Sequence, residues 1–513
     1  MSANSIKRPR HFSPSEGELA SNFKPQKTRF SFRRFLRKWL SPLFCLAFVS
    51  ISTNGNAQSI EQLSLTDFLE MATQQNIAAQ EAQLDIKQAD WNYKLYKAGL
   101  KPNLSASANF PNFARTFREI VQPDGTIQFQ PIRNNNSTLG LSLVQNIPQT
   151  GGTVFLNSGL QRFDDFENDT KLYNGNPIQI GLYQPLFGFN SMKWDKKLEP
   201  IKQTEAQKKF NVDLLAIQTT ATTLFFDLLV AYQEAEIAKN NEESNQQLFE
   251  IAEERLSLGR ISKGGLKQLQ LELISAQQSR RRAEQSVFYA SAAIYDFLGR
   301  PYNEEAIQPV FPEEVNKEII DPTTALQKAL TNHHDPISRQ RMLLEVNRDL
   351  EKAKRESGLQ VDINASFGLV RSSKKIGDIY NDPKQEQFAQ LQLTVPILDW
   401  GARKAQVGIA QAQHDFTQRS VAQQKRTFET TVRQTAEEVN FLIQDLELTE
   451  SIQKIALERF EITKESYVLG SISITELTLA QREKDQAQRQ YTRTVREYWE
   501  AKGRLAGFVG SIN

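Results

Sequence analysis

The phrase from Leu258 to Gln270, LGRISKGGLKQLQ, returns from Leu469 to Gln481 as LGSISITELTLAQ, and the same offset keeps pairing like residues far outside both. It aligns Gly259 with Gly470, Ile261 with Ile472, Ser262 with Ser473 and Leu266 with Leu477. Further out it aligns Pro185 with Pro396, Ala276 with Ala487, Ala290 with Ala501, and Phe297-Leu298-Gly299 with Phe508-Val509-Gly510. An ungapped register of that length requires a tandem duplication, with a unit of about 200 residues where solenoid repeats have roughly 20 to 50. The chain must therefore fold as two related halves.

Long helices dominate each half. Between Ile201 and Leu258, and again between Ile409 and Leu469, there is neither Gly nor Pro, and Ala, Gln, Glu, Leu and Lys abound. These residues favour helix, and at about 1.5 Å per residue each run predicts a rod of roughly 90 Å. Gly259 and Gly470 end the rods, as a left-handed residue ends a helix. Ser262 and Ser473 then cap second helices, predicted over Lys263 to Leu298 and from Ile474 to about Leu505. In these, Leu266, Leu269, Leu273, Ala276, Ala283, Val287, Ala290 and Ile294 recur at spacings of three and four, as do Leu477, Ala480, Ala487, Tyr491, Tyr498, Ala501 and Leu505. That is a heptad-like seam whose alanines allow close helix approach. Further helices are predicted at about Ser64 to Ala98 and Pro322 to Glu356.

Elsewhere the period falls to two. Val361, Ile363, Ala365, Phe367 and Leu369 alternate with smaller or polar residues, as do Leu104, Ala106, Ala108 and Phe110. Returning strands are expected at Ile178 to Leu182 and Ala389 to Val395, followed by the aromatics Phe187, Phe189 and Trp194 in one half and Trp400 in the other. Strands of about ten residues with one apolar face and aromatics at an end suit an outer-membrane barrel, although a half-buried soluble sheet alternates in the same way. The first half also carries an added stretch, in which Leu139 to Ile147 and Gly152 to Gln161 alternate around PQTGG. This predicts an extra hairpin, either within the sheet or capping it.

At the N-terminus, Arg33, Arg34, Arg37 and Lys38 precede the apolar run Trp39 to Ile51, with small residues at Gly55 and Ala57. The run is short for a permanent span and reads as a signal peptide cleaved between Ala57 and Gln58. Its ten Lys/Arg and two Asp/Glu would leave with it, turning a formal charge of +2 into −6. That balance excludes a basic nucleic-acid surface. The single cysteine, Cys45, would also leave, so neither a disulfide nor a lipid anchor is expected.

A strand pair, a rod-like helix, a Gly turn and a second helix, duplicated behind a signal peptide, resembles the TolC family of outer-membrane efflux proteins. The tip phrase and the Ala-rich helix after it, both present twice, carry the resemblance across nearly all of residues 60–510. It implies a mainly α fold with a membrane β-barrel part: helical hairpins form a periplasmic tunnel, and each chain of a homotrimer lends four strands to a shared barrel. The division is then 1–57 signal peptide, 58–300 first repeat with strands at about 103–186 and a tip near 259, 301–321 linker, and 322–513 second repeat with strands at about 361–396 and a tip near 470. The implied function is a passive exit duct in the outer membrane, fed by an inner-membrane pump through a periplasmic adaptor. Cargo, whether drugs, metals or proteins of type I secretion, is set by those partners. By resemblance, Leu258, Gly259, Ile261, Ser262, Leu469, Gly470, Ile472 and Ser473 contact the adaptor. Glu476 would form a three-fold acidic ring at the inner aperture, where like charge favours cations; Leu479 stands where some members have a second acid. Phe187, Phe189, Trp194 and Trp400 are expected at the membrane interface.

Enzyme signals are missing. NHHDP, with His333 and His334, lacks the spaced partners of a metal site, and there is no P-loop, GxGxxG or nucleophile elbow. No cofactor is expected. The competing reading is an exported coiled-coil or adhesion scaffold whose strands form a soluble cap.

Overall fold

The computed structural model describes residues 61–302, 307–312 and 317–510; the expected signal segment and its Ala57–Gln58 cleavage point lie outside the described residues. The chain runs β1 (Glu61–Leu63), α1 (Leu65–Gln75), α2 (Ile77–Gly99), β2 (Asn103–Asn109), β3 (Phe113–Val121), β4 (Ile127–Ile147), β5 (Gly152–Asp165) and β6 (Thr170–Pro185). It continues through α3 (Ser191–Ser257), α4 (Lys263–Phe297), β7 (Ile307–Pro309), α5 (Pro322–Asn332), α6 (Asp335–Glu356), β8 (Gln360–Ser373), β9 (Lys384–Thr394), α7 (Ala402–Val468) and α8 (Ile474–Val509).

The rods α3 and α7 are each 67 residues long, about 100 Å at 1.5 Å per residue. The first starts earlier than the Gly- and Pro-free run suggested, continuing back through Pro200 to Ser191. Proline there leaves the carbonyl of Lys196 without its helical donor, at a residue on the exposed side. Each rod packs along its partner, α3 on α4 and α7 on α8, and α3 on α8 joins the two hairpins. The predicted seams are their buried faces: Leu269, Ile294, Leu477, Tyr498, Ala501 and Leu505 are almost wholly enclosed. By length and composition α3 could cross a bilayer, but its Phe225, Phe226 and Leu228 are fully buried in the main core.

Two helices predicted as continuous are broken. The first stops at Asn76, whose Oδ1 accepts from Ala78 N (2.7 Å) while its Nδ2 donates to the distant Phe297 O (2.6 Å). The second is split at His333 and His334, because Pro336 opens α6 and its ring is incompatible with a continuing turn behind it. A short parallel pair, β1 with β7, ties the start of the first repeat to the linker.

The main sheet is antiparallel in the order β2-β4-β5-β6-β8-β9. Strands β2 and β3 follow one another along one edge of β4, which pairs Asn109 with Thr138 and Phe113 with Asn135. The expected added hairpin is β4–β5, and it lies inside the sheet between β2 and β6. The four strands implied by resemblance are thus joined by two more.

Candidate functional site

Register across the sheet shows what it can face. Directly paired residues point to the same side, and pairing aligns Leu104, Leu143, Leu156, Ile180 and Phe367 across five successive strands. On β8 and β9 the same side continues through Ile363 with Leu391 and Val361 with Leu393. Leu104, Leu141, Ile180, Phe367, Leu391 and Leu393 all remain exposed. Along β8 the apolar stretch from Val361 to Leu369 spans about 27 Å, comparable with the roughly 25 Å band of a membrane barrel. Beyond it the same side turns polar. Arg162 and Asp164 follow Leu160, paired with Ser137 and Asn135, where Asn135 Nδ2 donates to Asp164 Oδ2 at 2.8 Å and Arg162 Nε reaches the same oxygen at 2.8 Å.

The opposite side is polar. Ser105, Ser142, Asn157 and Gln179 form one row, with Ser142 Oγ donating to Asn157 Oδ1 at 2.7 Å. Tyr183 Oη donates to Asp362 at 3.0 Å. A sheet with one largely exposed apolar side and one hydrogen-bonded polar side is built to separate hydrocarbon from water.

The four aromatics expected at the interface divide. Trp400 is 90 % exposed at φ +55°, in a turn where the Asp399 carboxylate accepts from Gly401 N and Arg403 N. Phe187 is also exposed and Phe189 partly so. Trp194 is only 8 % exposed, packed in the first turns of α3 beneath Lys197.

At the other end, the two tips repeat bond for bond. Gly259 N donates to Leu256 O (3.0 Å) and Arg260 N to Arg255 O (2.8 Å); Gly470 N donates to Tyr467 O (2.9 Å) and Ser471 N to Ser466 O (3.1 Å). Both glycines have positive φ, +67° and +79°, as this helix stop requires. Ser262 Oγ accepts from Gly265 N, and Ser473 Oγ from Glu476 N. Ile261 and Ile472 turn inward onto a small core of Leu269, Phe460, Tyr467 and Leu477. Leu258 and Leu469 turn outward, 67 % and 84 % exposed. Of the eight expected contact residues, six therefore build the turns and two leucines are left free. Glu476 is exposed, and its Oε2 also accepts from Ser473 N at 3.2 Å, completing a capping box.

The family model for outer membrane efflux proteins matches residues 68–300 and 325–511, one stretch per repeat. No curated protein matches the sequence. Among solved structures the chain is similar to a membrane protein of Pseudomonas aeruginosa, at 15 % identity and TM-score 0.62 over 89 % of this chain and 91 % of that one. It is similar to the CmeC outer membrane channel of Campylobacter jejuni, at 16 % identity and TM-score 0.62 over 87 % and 85 %. The open state of the Neisseria gonorrhoeae MtrE outer membrane channel aligns at 14 % identity and TM-score 0.59 over 87 % and 89 %. These likenesses extend to the whole architecture, strands above and paired rods below, and with both repeats matched the chain belongs to the outer membrane efflux protein family.

Proposed function

We propose that three copies of this outer-membrane channel close head to tail into one duct, which passively exports substrates delivered by an inner-membrane transporter through a periplasmic adaptor. The observation that carries the reading is a pair of edges, unpartnered among the described residues, that run from the sheet down the long helices. On one side are the free edge of β9 and an exposed heptad row of α7, Phe441, Leu448, Ile455 and Ile462. On the other are the free edge of β2, the exposed Ile77, Leu84 and Trp91 of α2, and Leu271, Ile274 and Tyr289 of α4. An open strand edge is not tolerated in lipid, and two different complementary edges generate a ring.

In this reading residues 1–57 are removed on export. The exposed Leu258 and Leu469 meet the adaptor, and Glu476 lines the inner aperture. Energy comes from the partners, since a polar-lined tube has no chemistry of its own. The soluble-cap alternative is disfavoured by the width of the exposed apolar side, which water would not support over so many strands.

The deciding experiment is the native mass of protein extracted from outer membranes in mild detergent, corrected for bound detergent, followed by planar-bilayer recording. A mass of three chains with a conducting pore is expected. A monomer, or protein found only in the soluble periplasm, overturns the duct.

A further inference from the structure

We propose that the hairpin β4–β5 is part of the membrane wall itself, so that three copies close an eighteen-stranded barrel over a tunnel of twelve long helices. This rests on the trimeric duct above and adds the hairpin's place and the width of the outer opening.

Three observations carry it. First, the hairpin is sided like its neighbours. Leu141, Leu143 and Leu156 fall on the apolar side and Ser142 and Asn157 on the polar side, in unbroken register with β2 before and, from Thr153 to Asn157, with β6 after, where a bulge between Asn157 and Gly159 shifts the pairing by one residue. A cap over a lumen would have no reason to continue both sides in register.

Second, the hairpin is locked into the wall at both its face and its end. Phe155 is paired with Gly181 of β6, and its ring fills the space where a Cβ would stand, 2.1 Å from it. At the turn, Asn190 Nδ2 donates to Pro148 O (2.9 Å) while Asn190 Oδ1 accepts from Lys193 N (3.1 Å). One side chain thus caps α3 and holds the turn of the hairpin at its root.

Third, the strand count closes. Six positions per chain, alternating in direction from β2 to β9, leave β9 of one copy antiparallel to β2 of the next. Barrel diameter grows roughly linearly with strand number, and barrels of about 16 to 18 strands hold an aqueous channel. The opening would be about one and a half times as wide as one built from four strands per chain. No helix continues from the β4–β5 turn, so the extra strands widen the barrel without adding to the tunnel. Size selection then falls to the helical tunnel, and the barrel acts as a wide polar vestibule.

Single-cysteine labelling on a Cys45→Ser background tests this, because Cys45 is the chain's only cysteine. Leu141→Cys and Ser142→Cys are neighbours on β4 with opposite sidedness; Leu156→Cys repeats the lipid-side test on β5 should one variant fold poorly. Leu391→Cys on β9 reports on the sheet independently of the hairpin. Full-length protein in proteoliposomes is treated with a membrane-impermeant maleimide, and a fluorophore on each site is tested for quenching by brominated lipid. The expected result is rapid aqueous labelling at 142, at least tenfold slower labelling at 141, 156 and 391, and lipid quenching only at those three. If 391 is protected but 141 and 156 label as fast as 142, the hairpin stands off the wall and the proposal is overturned while the duct survives. If 391 is open to water as well, the duct reading itself fails.

Discussion

Glu476 serves the fold and carries charge with the same carboxylate, and the two can be separated. Its Oε2 accepts from Ser473 N while its own N–H is bound by Ser473 Oγ. Glutamine closes the same box without charge, so Glu476→Gln should leave the thermal midpoint unchanged and lower cation selectivity. Reversal potentials in a salt gradient read this directly, and an unchanged cation preference would remove Glu476 from the aperture. His333 offers a second residue-scale test. It is buried between Phe428 and Phe508, and burial lowers its pKa to about 4, helped by the cations Arg339 and Lys208 and by His334, and opposed by Asp335. A histidine held below its ordinary value binds its proton more readily unfolded, so its stabilisation is present above pH 6.5 and lost as pH falls towards 4. Thermal midpoints taken from pH 7 to 4.5 should fall, and His333→Gln should flatten that slope.

The tips show how a turn divides labour between residues. Gly259 and Gly470 sit at positive φ with open space beside them, so Gly470→Ala should cost about 1 to 2 kcal/mol through backbone strain alone. Leu258→Ala with Leu469→Ala removes side chains that are mostly exposed in the chain. It should leave stability within about 0.5 kcal/mol while weakening adaptor binding by about tenfold, measured by surface plasmon resonance; unchanged affinity would place the adaptor elsewhere. The rods, their glycine stops and the serine caps were all readable from the sequence, because each depends on residues within one or two turns. The breaks at Asn76 and His333 were harder to see. Asn76 is anchored by Phe297 O, over two hundred residues away, and Pro336 acts on a turn that otherwise reads as helix. Strand β3 is not legible in the sequence because Arg115, Arg118 and Glu119 interrupt its alternation. The hairpin β4–β5 was legible as a hairpin, but its place was not, since only pairing fixes which strands lie beside it.

At the scale of the molecule, the two unpartnered edges must match each other in depth if they close a ring. Helix α2 climbs towards the sheet and α7 descends from it, so copies in contact would set them antiparallel. Trp91 lies about 12 Å before the end of α2 and Ile409 about 11 Å beyond the start of α7; Leu84 and Phe416 lie about 22 and 21 Å along the same helices. All four side chains are exposed, and both rows step by seven residues. Trp91 should therefore meet Ile409 of the next copy, and Leu84 should meet Phe416. A chain carrying Trp91→Cys and Ile409→Cys should yield a covalent trimer on mild oxidation, as should Leu84→Cys with Phe416→Cys, and neither substitution alone should do so. Mixing the pairs, as Leu84→Cys with Ile409→Cys, puts the thiols about 11 Å out of step, beyond the reach of a disulfide. The symmetry is read from where the ladder stops. A face that pairs with itself ends at dimers, a head-to-tail contact that fails to close runs on to longer chains, and only a closed three-fold ring ends at three.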